Sequence, residues 1–278
     1  MPRRSRPPPA VPVPPTAPDP GPTLLPLPVL DSAPRGAACP TGGTPCEGCH
    51  GGCCRSFAVP VTGADVFRLT RATGRAFTDV AVRWPDADGA IARGHAPHLF
   101  FTPEPEAADP AARAGGPFVL CLGHAASVAL PGSSRCRFLE ETPPSPGRPR
   151  GTGRCGAYAD RPAACRTYPL RFAADGRLVR LASVPARGRA GSHPAYELCP
   201  RPWAAEDVDP LAAPADLAAG RWEMEFFRQV AAAWNRVRRP RRAFPAYLEA
   251  VYAGRVADPA AAPPRHGGSH RGTNRRAA

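Results

Sequence analysis

Cysteines are the residues of this 278-residue chain that could carry chemistry, since ten occur and eight of them fall into two groups. The first group has the spacing C-x2-C-x3-C-C and consists of Cys46, Cys49, Cys53 and Cys54. Two thiolates separated by two residues can both face one metal ion, as in structural zinc and iron–sulfur sites. Cys53 and Cys54 are adjacent and project in different directions, which indicates two neighbouring sites or one multinuclear cluster.

The second group is spread over longer intervals, as expected for ligands that the fold brings together. It consists of Cys136, Cys155, Cys165 and Cys199. Eight thiols suit two four-cysteine metal sites, two cubane clusters, or one cluster with spare thiols. The remaining two cysteines, Cys39 and Cys121, are interpreted as small buried hydrophobic residues. A redox pair at Cys46 and Cys49 is disfavoured because the strand-then-helix setting of such pairs is missing.

Arginines lie directly beside several of these cysteines. A four-thiolate zinc site is anionic and needs nearby cations or amide donors. The flanking arginines are Arg55, Arg135, Arg137, Arg154 and Arg166, a modest excess over chance that favours metal-bound thiolates. His50 lies inside the first group, and we interpret it as a solvated loop residue. The sequence contains no recognisable catalytic set and no cofactor-binding residues.

The charge of the chain is less informative about its function than the cysteines are. The net charge is +13, and all 36 basic residues are Arg. A basic chain can bind nucleic acid by neutralising phosphates, but a general bias of the composition towards Arg explains the same charge. Nucleic-acid binding is therefore the less favoured interpretation. No apolar run approaches the length of a membrane-spanning helix. No apolar signal-peptide segment is present either, so we expect a cytoplasmic protein with reduced thiols.

The composition divides the chain into four segments. Thirteen of residues 1–36 are Pro, which predicts a disordered Pro-rich linker. A loop-rich cysteine-cluster domain follows at 37–201, then a helical extension at 202–256 that packs on the same core. Residues 257–278 are expected to form a disordered basic tail. The predicted class is a small α+β metal-binding domain with C-terminal helices.

Local patterns predict the main elements. Thr62 and Asp65 form a capping box, and Gly74 ends the helix that follows. Strands are expected at 98–101, at 117–121, and in a hairpin formed by 170–172 and 178–181 around Asp175-Gly176. Residues 140–153 are expected to be a flexible loop. A long helix is predicted from the apolar stripe Trp222, Phe226, Val230, Trp234 and Val237, and a second helix begins at Pro245.

The cysteine pattern as a whole resembles a known family. Cys46-x2-Cys49-x3-Cys53-Cys54, Cys136-x-Phe-Leu, Cys155-x2-Tyr158-x2-Arg161-Pro162-x2-Cys165-Arg166-x-Tyr168-Pro169 and Cys199-Pro200 resemble the YkgJ-like cysteine-cluster proteins, over residues 44–201. The resemblance implies a zinc- or iron-chelating domain whose ligands are the eight cysteines named above. The chain departs from the family in its Pro-rich head, an insert at 85–117, the extra Cys39 and Cys121, and the aromatic C-terminal helices.

Three functions follow as hypotheses. The first is a cytosolic protein that binds zinc or iron, the iron also as an iron–sulfur cluster, through thiolates. The second is a cluster-assisted S-adenosylmethionine-dependent methyltransferase or redox enzyme, because flagellin lysine N-methylases are similar in this domain. The G-x-G-x-x-G match at Gly151, Gly153 and Gly156 lacks the strand-to-helix setting of a cofactor loop. The third is a nucleic-acid-associated zinc module. The sequence does not identify the metal, a protein partner or the oligomeric state.

Overall fold

Short helices alternate with paired strands in the part of the chain that the structure, a computed structural model, describes. Described are residues 45–46, 48–173, 179–182, 184, 193–199 and 201–253, all within one compact unit spanning Ala38–Ala278. The α-helices are α1 (Gly52–Ser56), α2 (Gly63–Thr73), α3 (Phe77–Val80), α4 (Pro110–Ala114), α5 (Ala163–Thr167), α6 (Ala212–Asn235) and α7 (Phe244–Ala253). Short 3₁₀ helices lie at Pro194–Tyr196, Ala205–Asp207 and Arg241–Ala243. The linker at 1–36, Cys39 and the tail at 257–278 lie outside the described residues.

The strands form small antiparallel pairs. The pairs in the described segments are β1 (Ala81–Pro85) with β2 (Phe118–Leu122), β3 (His124–Ala126) with β4 (Ser134–Cys136), β5 (Leu139–Thr142) with β6 (Thr152–Cys155), and β7 (Leu170–Phe172) with β8 (Val179–Leu181). The predicted mixed α+β class is confirmed. Among the described helices, none is long and apolar enough to cross a membrane.

Helix α2 forms where the capping box predicts it. The Thr62 hydroxyl accepts a hydrogen bond from the Asp65 N–H at 3.1 Å, and the Asp65 carboxylate accepts one from the Thr62 N–H at 3.0 Å. Gly74 ends the helix in the left-handed region at φ 65°, which glycine adopts without steric cost. The Asp65 carboxylate also accepts from the Ala163 N–H at 3.1 Å, which joins α2 to the helix that carries Cys165.

The C-terminal helices complete the main hydrophobic core. Trp234 of α6 is fully buried, and its ring lies 4.9 Å from Phe244 and 5.7 Å from Phe101, measured between centroids. Aromatic pairs at such separations stabilise a core beyond the area that they bury. The Trp234 indole N–H donates to the Phe100 carbonyl at 2.9 Å, so its polar atom is satisfied.

The predicted apolar stripe of α6 is correct only in its middle. Trp222 is 46% exposed, and Val237 is 58% exposed and lies beyond the end of the helix at Asn235. Phe227 and Ala231 are buried beside Val230 and Trp234 instead, so the buried face is shifted by one residue. The second helix is present as α7, with Leu248 and Tyr252 buried.

Two loop and strand predictions are wrong. Residues 98–101 make one isolated bridge, between Leu99 and Phe118, and no extended strand. The expected flexible loop at 140–153 contains β5 and the start of β6, which pair with Leu139 opposite Cys155. The strand at 117–121 is confirmed as β2. The predicted hairpin is confirmed as β7 paired with β8, while its turn at Asp175-Gly176 lies outside the described residues.

Candidate metal centre

Nine cysteines fall within the described residues, and all nine are free thiols. They include every member of the two predicted groups. Cys46 is exposed, Cys136 is buried, and the other six predicted ligands are partly buried. Free thiols are what a metal-thiolate site requires, because the thiolate is the ligand.

The first group lies on a tight loop that leads into α1. The Cys49 N–H donates to the Cys46 carbonyl at 3.2 Å, and the Gly51 N–H donates to the Cys49 sulfur at 3.3 Å. Gly51 precedes the helix at φ 78°, a conformation that favours glycine. Cys53 and Cys54 occupy α1 itself, with their sulfurs 3.9 Å apart.

This loop is packed between two other parts of the chain. A Cβ on Gly52 would overlap the carbonyl oxygen of Glu197, two residues before Cys199. On the other side, the Gly153 N–H of β6 donates to the Cys49 carbonyl at 2.8 Å. The first group therefore lies close to the segments that carry Cys155 and Cys199.

The second group comes from separate elements that approach α1. Cys136 ends β4, where it pairs with His124, and Cys155 ends β6. Cys165 lies in α5. Helix α1 contacts both β4 and the 3₁₀ helix that precedes Cys199. The fold thus brings the two predicted groups together around α1.

The electrostatics show which thiols are neighbours. Burial raises the pKa of Cys165, and the nearby thiols of Cys136, Cys53 and Cys155 raise it further. Burial also raises the pKa of Cys199, and the thiols of Cys53 and Cys49 add to it.

Tyr168 lies within electrostatic range of four thiols. Its hydroxyl is buried and finds no hydrogen-bond partner among the described residues. Burial raises the pKa of Tyr168, and charges on four thiols raise it further, those of Cys199, Cys53, Cys46 and Cys49.

The described thiols lie near one another, but their sulfur atoms do not converge on one point. Within the described segments, no group of three or more His, Cys, Asp and Glu side chains converges closely enough to hold a metal ion. The donor set nevertheless fits zinc or iron, because free, clustered thiols are soft ligands that both metals accept.

Each of the five arginines that flank a cysteine forms an ion pair with a carboxylate. Their ion pairs are Arg55–Glu141, Arg135–Glu141, Arg137–Asp79, Arg154–Glu140 and Arg166–Asp216. Arg161, by contrast, places its positive charge near two of the thiols. Burial raises the pKa of Cys155 and of Cys165, and the charge of Arg161 lowers it at both. The Arg161 guanidinium also lies 3.8 Å from the ring centroid of Tyr158. Both residues belong to the motif that runs from Cys155 to Pro169, and that motif is the signal by which the sequence points to Arg161.

A buried ion pair holds the first group in place, and sequence reasoning missed it. Arg55 follows Cys54 and is 1% exposed. Its guanidinium donates to the His50 carbonyl at 3.1 Å and to the Ser127 hydroxyl at 2.9 Å, and pairs with Glu141 at 2.6 Å. This arrangement ties the loop before α1 to strand β5.

The interpretation of His50 as a solvated residue is wrong. His50 is buried, because the loop folds under the segment at 195–198. Burial lowers its pKa, and the charges of Arg150 and Arg55 lower it further, so the imidazole is neutral at pH 7.

Cys121 lies apart from the predicted ligands. It is fully buried on β2 in a separate small cluster with Val119 and Ala92. Burial, with the charge of Asp86, raises its pKa to about 12. It therefore behaves as the small buried hydrophobic residue that its isolated position predicts.

The described fold is loop-rich α+β and gathers free cysteines around one short helix, which is the arrangement of a cysteine-cluster domain. The family model described as "Putative zinc- or iron-chelating domain", CxxCxxCC, matches residues 45–182. The chain belongs to that family, which confirms the resemblance to the cysteine-cluster proteins. No curated protein and no solved structure matches the chain. The similarity to flagellin lysine N-methylases stays a prediction.

Proposed function

We propose that this protein binds zinc or iron through eight thiolates and that the bound metal completes its fold. The ligands of the proposal are Cys46, Cys49, Cys53, Cys54, Cys136, Cys155, Cys165 and Cys199. The observation that carries it is the meeting of the cysteine-bearing segments at α1, which contacts both β4 and the 3₁₀ helix before Cys199. Family membership supports the metal-chelating role.

The chain's own residues would prepare the site for an anionic centre. The Gly51 N–H and the Trp203 indole N–H each donate to a cysteine sulfur at 3.3 Å, the latter to Cys199. Such donors stabilise thiolates, and Arg161 supplies positive charge near Cys155 and Cys165. A bound zinc or iron would supply cross-links between chain segments that no disulfide joins among the described cysteines.

The proposed setting is the cytoplasm, where thiols stay reduced. The free state of all nine described cysteines supports it. For the methyltransferase alternative, the structure offers no favouring observation: Gly153 lies within strand β6, so the glycine motif is not a strand-to-helix cofactor loop.

The test is anaerobic purification followed by elemental analysis and an absorption spectrum. We expect bound zinc in a colourless protein, or iron with sulfide in a brown one, and the second result would identify an iron–sulfur cluster. The variant Cys46→Ser/Cys49→Ser should lose metal, whereas the matched control Cys121→Ala should keep all of it. A wild-type protein without metal, or a double variant with full metal and an unchanged melting temperature, would show that the proposal is wrong.

A further inference from the structure

Tyr168 places its ring beside the helix that carries two of the predicted ligands. It directly follows α5, the helix of Cys165. Its ring centroid lies 5.9 Å from that of Phe57. Phe57 caps the C-terminal end of α1, where its N–H donates to the Cys53 carbonyl at 3.2 Å. The ring of Tyr168 therefore joins the element of Cys165 to the element of Cys53.

The same end of α1 contacts the segment that leads to Cys199. The Ser56 hydroxyl donates to the Tyr196 carbonyl at 3.3 Å, three residues before Cys199. Thiols from both segments act on Tyr168, since after burial the charges of Cys199 and Cys53 contribute most to its raised pKa. The hydroxyl therefore lies where predicted ligands from distant parts of the chain meet.

This hydroxyl lacks the hydrogen bond that a buried hydroxyl needs. It is buried and has no partner in the described part of the chain. The Tyr247 hydroxyl, by comparison, donates to the Val230 carbonyl at 3.0 Å. An unpaired buried hydroxyl costs free energy, so native proteins rarely leave one without a partner. The Tyr168 hydroxyl therefore calls for an acceptor that the metal-free arrangement of the chain does not supply.

A thiolate is an acceptor of the required kind. A thiol sulfur accepts hydrogen bonds weakly, whereas an ionised acceptor forms bonds about twice as strong as a neutral one. Cysteines that bind a metal ion lose their protons, so metal binding turns the neighbouring thiols into strong acceptors.

A second unpaired donor lies on the same segment. The Nε atom of Arg161 is buried and has no hydrogen-bond partner among the described residues. The positive charge of Arg161 lowers the pKa of Cys46, Cys155 and Cys165, against the effect of their burial. The segment between Cys155 and Pro169 thus holds two unpaired donors near the thiols, which is the complement that an anionic centre requires.

We propose that the Tyr168 hydroxyl donates a hydrogen bond to a metal-bound thiolate of the four cysteines around it, Cys46, Cys49, Cys53 and Cys199. This inference rests on the proposed function. Tyr168 is then a positioning residue, because it acts on the metal through a sulfur ligand. The bond holds that ligand in place and stabilises its negative charge.

The test is the variant Tyr168→Phe, which keeps the ring against Phe57 and removes the hydroxyl. Anaerobic competition titration of the full-length chain with Zn²⁺ should show about 10-fold weaker binding than in the wild type, the effect of losing a partner of a metal ligand. The melting temperature of the metal-free protein should stay the same or rise, because the variant removes an unpaired buried group.

The Co²⁺ form supplies a readout that a purely structural role would not change. A hydrogen bond lowers the energy of the sulfur electrons, so its loss should move the thiolate-to-Co²⁺ charge-transfer absorption to longer wavelength. The matched control is Tyr247→Phe, which removes a paired hydroxyl from α7, a helix without candidate ligands. It should keep the Zn²⁺ affinity and the Co²⁺ spectrum of the wild type.

The outcomes separate the two proposals. A wild type that binds no metal contradicts the proposed function. A wild type that binds metal, together with a Tyr168→Phe variant of unchanged affinity and unchanged Co²⁺ spectrum, overturns the role of Tyr168 alone. A metal-free Tyr168→Phe protein that melts at a lower temperature or does not fold also overturns it, because the hydroxyl would then stabilise the chain without metal.

Discussion

Replacing Glu141 by Gln tests whether the buried ion pair positions the first cysteine group. The side chains of Glu141 and Arg55 are 6% and 1% exposed, and their charged atoms are 2.6 Å apart. The substitution keeps the shape of the side chain and removes its charge, while Arg55 still contacts the His50 carbonyl.

The expected cost can be estimated from the surroundings of the pair. Removing one partner of a buried ion pair costs about 3–5 kcal/mol, because it leaves the other charge uncompensated. The Gln amide has only one oxygen, so it can keep either the bond from the Ser127 hydroxyl at 2.6 Å or the bond from the Val128 N–H at 3.0 Å, which reach different oxygens of Glu141. Arg135 also loses its anionic partner at 3.1 Å. We therefore expect Glu141→Gln to lower the free energy of unfolding by about 3–5 kcal/mol.

The matched control lies on the same strand. Glu140 pairs with Arg154 at 2.6 Å, but these side chains are 52% and 85% exposed. Exposed ion pairs contribute about 0–1 kcal/mol, so Glu140→Gln should cost little. Urea denaturation with linear extrapolation, performed at constant Zn²⁺ concentration, measures both variants. Equal costs for Glu140→Gln and Glu141→Gln would refute the role assigned to the buried pair.

The pH dependence gives a second check. Burial tends to raise the pKa of Glu141, but hydrogen bonds from Ser127, Val128 and Arg55 outweigh it and hold the pKa below its ordinary value. A carboxyl group with a lowered pKa contributes stability above its unfolded-state pKa of about 4.3 and loses it as the pH falls through the folded-state value. The difference in stability between Glu140→Gln and Glu141→Gln should therefore narrow as the pH falls below about 4.

Three other substitutions test the packing around α1. Gly52→Ala places a methyl group against the carbonyl oxygen of Glu197, so thermal unfolding should show a loss of about 1–3 kcal/mol. Trp203→Phe removes the N–H donor to the Cys199 sulfur, and a Zn²⁺ competition titration should show about 10-fold weaker binding of one ion with little change in the melting temperature of the metal-free protein. Asp65→Ala removes the capping-box carboxylate and should lower the free energy of unfolding by about 1–2 kcal/mol, measured by urea titration. An unchanged value in any of these assays would contradict the contact concerned.

Local signals predicted the elements that depend on neighbouring residues. The capping box at Thr62 and the left-handed Gly74 fix the ends of α2 through contacts within a few residues, so the sequence was enough. The hairpin of β5 and β6 was missed because its Pro- and Gly-rich connection dominates the composition of 140–153. The two ends become strands through the antiparallel pairing of residues 139–142 with residues 152–155, which no local pattern indicates.

The sequence was enough to identify the cysteines of the candidate site, but not the residues that hold them in place. Cysteine spacing identifies the thiols, and the structure places them around α1. The pairing of Arg55 with Glu141 joins residues far apart in the sequence, so no local pattern indicates it. The burial of His50 has the same origin, because it depends on how the segment before Cys199 covers the loop.

The aromatic cluster of Trp234, Phe244 and Phe101 has a consequence for the metal-free protein. These rings pack on one another and come from segments without candidate ligands. A part of a domain that is held by fewer buried contacts can open before the rest of the domain does. Removing the metal should therefore speed amide hydrogen exchange in residues 48–56 by a large factor while α6 and α7 keep much of their protection. The protein would then respond to metal loss by opening its cysteine-rich part and not by unfolding throughout.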